Sequence, residues 1–142
     1  MMRFLLDANC WLQTVRQRPH ANEVAKFLAD VPVDRVFITD LAVHSVAIVM
    51  GRFKMLGDVP NFFAVCGFGR TIRVLSLEVS IVSQVVQTAA IYGLDFDDAY
   101  QYSASEAHDL SIVSFDADFD RTPRGRLTPA AALALFISQP QP

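Results

Sequence analysis

The chain has 142 residues, 52% of them hydrophobic and 19% charged, with a formal net charge of −3. That length suits one continuous hydrophobic core and leaves little room for a second catalytic domain, and the composition is that of an apolar-rich globular chain rather than a disordered one. The mild negative charge excludes the strongly basic class of nucleic-acid binders, so any contact with nucleic acid has to be made by a local patch.

Phe4-Leu5-Leu6 reads as a short buried strand, and Asp7-Ala8-Asn9 turns it into a helix through Trp11, Leu12 and Val15. A second helix begins near Pro19 to Asn22, with Val24, Phe27 and Leu28 at helical spacing. Val36-Phe37-Ile38 is the next strand. Thr39 or Asp40 caps the following helix, whose residues Leu41, Val43, Val46, Ile48 and Val49 are apolar nearly all round, so that a well-buried helix is expected. Glycines and a proline punctuate the stretch from Arg52 to Gly69, in which Asn61 to Cys66 suits a short helix. Strand character returns at Ile72 to Leu75. A long helix is predicted from Ser76 or Leu77 to Tyr92, with Val79, Val82, Val85, Val86, Ala89 and Ala90 as its inner face and Gly93 as its stop.

An Asp95 to His108 helix and a Ser111 to Phe115 strand follow. Leu127 then leads into Thr128-Pro129, a cap with proline at the first helical position, and Ala130 to Ile137 forms the last helix. Residues 139–142 read as a frayed tail after a single domain spanning residues 1–138. No internal repeat or linker is apparent. Strands alternating with helices, with apolar strand runs that lack strict alternation, predict a three-layer α/β/α sandwich with a mainly parallel central sheet. Ligands of such sheets gather beyond the carboxyl ends of the strands, the edge on which Asp7 and Asp116 are expected.

Asp7, Asp98 and Asp116 stand at structural punctuation marks where no hydrophobic core needs a carboxylate. Each alone has a structural role open to it. Asp7 can initiate a strand-to-helix turn, Asp95, Asp97 or Asp98 can serve a helix N-terminus, and Asp116 and Asp118 can shape a polar turn. Clustered together they would repel unless basic side chains or a cation intervened, and Mg²⁺ takes hard oxygen ligands of this kind, commonly with substrate phosphates. Such a pocket suits phosphodiester chemistry.

Leu6-Asp7-Ala8-Asn9, Phe96-Asp97-Asp98-Ala99 and Ser111-Ile112-Val113-Ser114-Phe115-Asp116-Ala117-Asp118-Phe119, followed by Leu127-Thr128-Pro129, together resemble the PIN-domain family. The likeness is greatest to its small VapC-type toxin ribonucleases and spans nearly the whole chain. The resemblance implies a PIN-like fold and an Mg²⁺- or Mn²⁺-dependent, RNA-cutting site. Asp7, Asp98 and Asp116 then match the catalytic carboxylates, Asp118 a further metal ligand, and Asn9 and Ser114 supporting polar positions, with Asp97 facing outward or serving the helix N-terminus. It also implies a homodimer inhibited by a small VapB-like antitoxin, while the lack of a disulfide framework and of a recognised leader points separately to a reducing cytoplasm. One departure stands out: Ser45 falls where the family usually carries a glutamate, leaving one carboxylate fewer. The alternative is therefore a catalytically impaired PIN scaffold that binds RNA or a protein partner.

His44, beside Ser45, is either a pocket residue or a substitute ligand, and imidazole suits Zn²⁺ or Mn²⁺ better than Mg²⁺. His20 and His108 carry no comparable argument. Arg121, Arg124 and Arg126, with Arg70 and Arg73, form either a basic rim or a set of solvated loop charges. Trp11, Phe27, Phe37, Phe62 and Phe63 fit core or interface packing. Cys10 and Cys66 lack a partnered histidine and metal-ligand spacing, which argues against a nucleophile, a disulfide framework or an oxidising compartment. No secretory leader is recognised, and the apolar stretch from Leu41 to Met50 is too short and too interrupted for a bilayer span.

Overall fold

Four short strands, β1 (Phe4–Leu6), β2 (Val36–Thr39), β3 (Arg73–Leu75) and β4 (Ser111–Val113), form the sheet of the computed structural model, which describes residues 1–16 and 18–140. Every pairing is parallel and the order is β3-β2-β1-β4. Around it lie α1 (Ala8–Val15), α2 (Ala21–Asp30), α3 (Asp40–Arg52), α4 (Val59–Cys66), α5 (Val82–Tyr92), α6 (Phe96–His108) and α7 (Pro129–Ser138). Phe4, Leu5 and Leu6 are all fully buried, as a central strand covered on both faces requires.

On one face Phe4, Leu6, Ile38 and Val113 pack against Trp11, Phe27, Val46 and Leu133, drawn from α1, α2, α3 and α7. On the other, Leu5, Phe37, Leu75 and Ile112 meet Val85 of α5 and Ala99, Tyr102 and Ala104 of α6. The molecule is thus the expected α/β/α sandwich. From β1 the chain adds β2 and β3 outward on one side, then crosses to place β4 on the other. Successive connections diverge between β1 and β4, which opens a crevice at the carboxyl ends of those two strands. Asp7 follows β1 directly, and Ser114 follows β4.

Punctuation accounts for most element ends. Thr39 caps α3 by accepting from Ala42 N at 3.0 Å, and Thr128 caps α7 by accepting from Ala131 N at 3.2 Å, with Pro129 at the first helical position. Gly93 ends α5 with φ 65°, a left-handed conformation open to glycine without penalty.

Three expectations change. α5 starts at Val82 after a single 3₁₀ turn over Val79–Ile81, and of its proposed inner face only Val85 is buried. Val79 is 87% exposed, with Val82, Val86 and Ala90 also exposed, because the layer beneath accepts one narrow stripe and a valine-rich helix offers several. α3 buries only Ala42, Val46 and Met50, leaving His44, Ile48 and Arg52 exposed. β4 ends at Val113, so Asp116 stands a short turn beyond the strand and heads a 3₁₀ turn over Ala117–Arg121.

Trp11, Phe27 and Phe37 are core residues, and Phe62 and Phe63 are half-buried against Phe68. Of the expected tail, Gln139 accepts from Met2 N at 3.4 Å, while residues 141–142 lie outside the described residues. Among the described residues, no helix is long and apolar enough to cross a membrane. Removing the α7 cap with Thr128→Ala should cost about 1 kcal/mol. Urea denaturation checks it: the midpoint should fall while the slope stays unchanged.

Candidate active site

Ser114 is fully buried at the crevice between β1 and β4, and its hydroxyl is completely used. It donates to Asp7 Oδ2 at 2.8 Å and accepts from Asn9 Nδ2 and from Asp116 N, both at 3.0 Å. A hydroxyl has one proton and two lone pairs, so three partners exhaust it. Asn9 Oδ1 also accepts from Phe115 N at 3.3 Å, which ties the start of α1 to the turn after β4. Arg126 Nη1 donates to Ser114 O at 3.1 Å and holds that turn from behind.

The other oxygen of Asp7 accepts from Ala8 N at 2.7 Å and from Gln101 Nε2 at 3.1 Å. Gln101 is oriented in turn by Thr39, whose hydroxyl donates to Oε1 at 2.5 Å. A chain of hydrogen bonds thus runs from the end of β2 through α6 and Asp7 to the turn after β4. Burial pushes the Asp7 carboxyl up, hydrogen bonds from Ser114, Gln101 and Ala8 offset part of this, and the Asp116 charge adds to the rise.

Asp98 enters from the first turn of α6 and is buried. One carboxylate oxygen from each of Asp98, Asp116 and Asp118 lies within 4.8 Å of the others. Burial foremost, then the charges of Asp7, Asp116 and Asp97, push the Asp98 carboxyl up to about 8. A set of hard oxygen donors crowded enough to hold a proton near neutrality is the donor set a divalent cation fits. Asp116 Oδ1 also accepts from Asp118 N at 2.9 Å. Asp118 is half-exposed and already has a counter-charge, Arg121 Nη2 at 2.7 Å. Gly93 makes space for that arginine: a Cβ there would stand 3.1 Å from Arg121 Nη1.

Asp7, Ala8, Leu41, Ala42, Ser45, Asp97, Asp98 and Gln101 line a pocket of about 50 Å³. The sequence-flagged Ser45 therefore opens onto the same small space as Asp7 and Asp98. Asp97 is exposed, and its Oδ1 accepts from Asp98 N at 3.1 Å, the role of a helix N-terminal carboxylate. His44 is exposed and lies neither on this pocket nor in the carboxylate cluster.

Arg121, Arg124 and Arg126 pair with Asp118, Asp109 and Asp120 respectively, so the downstream arginines are engaged locally. Arg70 and Arg73 border a different pocket at the beginning of β2 and β3, the edge opposite Asp7. Burial raises the Cys66 thiol to about 11 and the Cys10 thiol well above its ordinary value, which leaves neither as a thiolate near neutrality.

Several site residues are not singled out by the sequence reading. Gln101 lies three residues after Asp98, one helical turn along the same face, and that spacing is a usable signal. Arg121, named above only as one of a group of arginines, has the same spacing from Asp118 and pairs with it. His20 has none: its ring stacks on Phe115, with centroids 4.6 Å apart and planes 25° from parallel, and the two residues are far apart in the chain.

A family model described as the PIN domain matches residues 4–125. Three similar solved structures share the fold. Mycobacterium tuberculosis VapC20, described as a sarcin–ricin loop cleaving toxin, has a TM-score of 0.71 at 13% identity over 82% of this chain and 92% of that one. A toxin–antitoxin complex from Klebsiella pneumoniae gives 0.68 at 19%, over 88% and 96%. The protein PAE2754 from Pyrobaculum aerophilum gives 0.68 at 17%, over 97% of both chains. No curated protein matches the sequence significantly.

The raised Asp98 carboxyl gives the metal-free protein a signed pH dependence. Between the ordinary carboxylate value and about 8 the folded state binds the extra proton, so stability falls as pH rises through that window. In EDTA, wild type should melt at a lower temperature at about pH 8 than at about pH 5, and Asp98→Asn should flatten that dependence. The variant should also melt a few degrees above wild type at the higher pH, as read by differential scanning calorimetry.

Proposed function

The chain belongs to the PIN domain family, and from that premise we propose that it is a metal-dependent endoribonuclease, the toxin of a toxin–antitoxin pair. Members of the family are typically nucleases. The observation that carries the reading is the carboxylate cluster of Asp98, Asp116 and Asp118 beside the thrice hydrogen-bonded Asp7. Asp7, Asp98 and Asp116, with Asp118 when it is released from Arg121, are the residues that would hold Mg²⁺ or Mn²⁺. The ion would supply positive charge against a phosphodiester and acidify water.

The remaining work belongs to the chain. Asp7 is held so that its carboxylate cannot rotate, Ser114 and Gln101 fix its two oxygens, and Asn9 locks the turn that presents Asp116. Asp98, which holds a proton near neutrality when the carboxylates stand alone, is the group that would give it up with a cation bound. The proposed reaction is hydrolysis of an RNA phosphodiester in the cytoplasm.

Toxin identity draws on the Klebsiella structure, which is a toxin–antitoxin complex of the same fold. Exposed Val82 and Val86 of α5, Val79 in the turn before it and Phe96 at the start of α6 supply apolar surface for a second copy of the chain or for an antitoxin. A second reading has its own observation. Ser45 faces the pocket of Asp7 and Asp98 where a glutamate would add a fourth charge, which favours a scaffold with weakened or lost cleavage.

Incubation of structured RNAs with wild type and Asp7→Asn in Mg²⁺ or Mn²⁺ should show cleavage by wild type and a loss of about two orders of magnitude or more in the variant. Calorimetric titration with Mn²⁺ should show binding that Asp98→Asn removes. An inert wild type without Asp98-dependent binding would leave the scaffold reading standing, whereas cleavage gained by Ser45→Glu would mark an impaired nuclease.

A further inference from the structure

His20 lies in the connection between α1 and α2, yet its imidazole lies against Phe115, the residue between the hub Ser114 and the cluster carboxylate Asp116. The side chain is 54% exposed, so one ring face covers Phe115 and the other is open to solvent. Its orientation is fixed from two sides. Nδ1 lies 3.3 Å from Glu23 Oε2, and a carboxylate only accepts, so Nδ1 carries the proton. The other oxygen of Glu23 is itself held, accepting from Ala130 N at 2.9 Å at the start of α7. Phe115 is anchored through its backbone N–H to Asn9 Oδ1.

A flat, exposed π surface held by a three-residue relay, one residue from a cluster carboxylate, is more order than a solvated loop histidine needs. The same connection carries Arg16 and Arg18, whose guanidinium carbons lie 4.2 and 5.4 Å from the Phe53 ring centroid, and neither pairs with a carboxylate among the described residues. Stacking surfaces combined with unneutralised cations are how single-stranded nucleic acid is held without base-specific hydrogen bonds.

We infer that His20, backed by Phe115, is a nucleobase-stacking subsite that positions an unpaired base of the RNA next to the phosphodiester presented to Asp7, Asp98 and Asp116. Arg16 and Arg18 serve the backbone phosphates of the same strand. This rests on the nuclease reading above and adds to it the requirement for an unpaired nucleotide beside the cut. The subsite selects for single-stranded or looped RNA and acts in binding, not in the bond-breaking step.

The test is fluorescence titration in EDTA of single-stranded oligoribonucleotides carrying 2-aminopurine, together with KM and kcat for their cleavage in Mg²⁺. Stacking on His20 quenches the probe. His20→Ala and His20→Leu should each weaken binding roughly 5- to 150-fold, the range for one lost base stack, abolish the quench and raise KM with kcat unchanged. His20→Phe should restore all three. His20→Leu keeps an apolar cover on Phe115, so a loss shared by Ala and Leu and rescued by Phe reports the π face rather than packing.

Unchanged binding and KM in His20→Ala, with wild type binding and cutting, would overturn the subsite and leave the nuclease reading intact. A loss that His20→Phe fails to rescue would do the same. A wild type that neither binds nor cuts any oligonucleotide would overturn both.

Discussion

One buried hydroxyl sets the geometry of this crevice. Ser114 joins the ends of β1 and β4 by giving its proton to Asp7 and taking one each from Asn9 and the Asp116 backbone. Each bond is modest alone, but in a site with no exposed surface at Ser114 an unmet partner carries a desolvation penalty of about 1–3 kcal/mol. The three contacts are therefore kept or lost together. Two segments more than a hundred residues apart are brought to one register by this hub, with Gln101 and Thr39 extending it to α6 and β2. The carboxylates themselves repel, so the cluster exists because neutral groups around it are fully satisfied.

That division of labour explains what the sequence made legible. Strand and helix existence followed from Phe4-Leu5-Leu6, Val36-Phe37-Ile38 and the caps at Thr39 and Thr128, because local chemistry decides those features. Asp7, Asp98 and Asp116 each have a structural role open to them, and only their joint placement singles them out; of the three, Asp98 and Asp116 share a carboxylate cluster with Asp118. The buried face of α5 was not legible: with valine at 79, 82, 85 and 86, the pattern satisfies several faces, and only the partner layer of Leu94, Tyr102 and Phe119 selects Val85. His20 was invisible for a different reason. Its partner Phe115 is distant in the chain, and stacking between two rings leaves no periodic trace.

Charge is distributed with equal economy around the site. Asp7 meets its requirements through hydrogen bonds, Asp98 by holding a proton near neutrality, and Asp118 through Arg121. These are three different answers to one electrostatic problem. With a divalent cation bound, Asp7 would keep its hydrogen bonds, Asp98 would give up its proton, and Asp118 would exchange the exposed Arg121 pair, weak in solvent, at little cost.

Gly93 joins two matters usually kept apart. Its left-handed backbone ends α5, and its missing side chain leaves room for the guanidinium that neutralises Asp118. A residue with a Cβ at this position meets a backbone objection and, separately, crowds the guanidinium at 3.1 Å, so that Arg121 has to give way by a few tenths of an ångström. The end of a helix on the far layer thus borders the counter-ion of a crevice carboxylate, at a place where folding alone already restricts the residue.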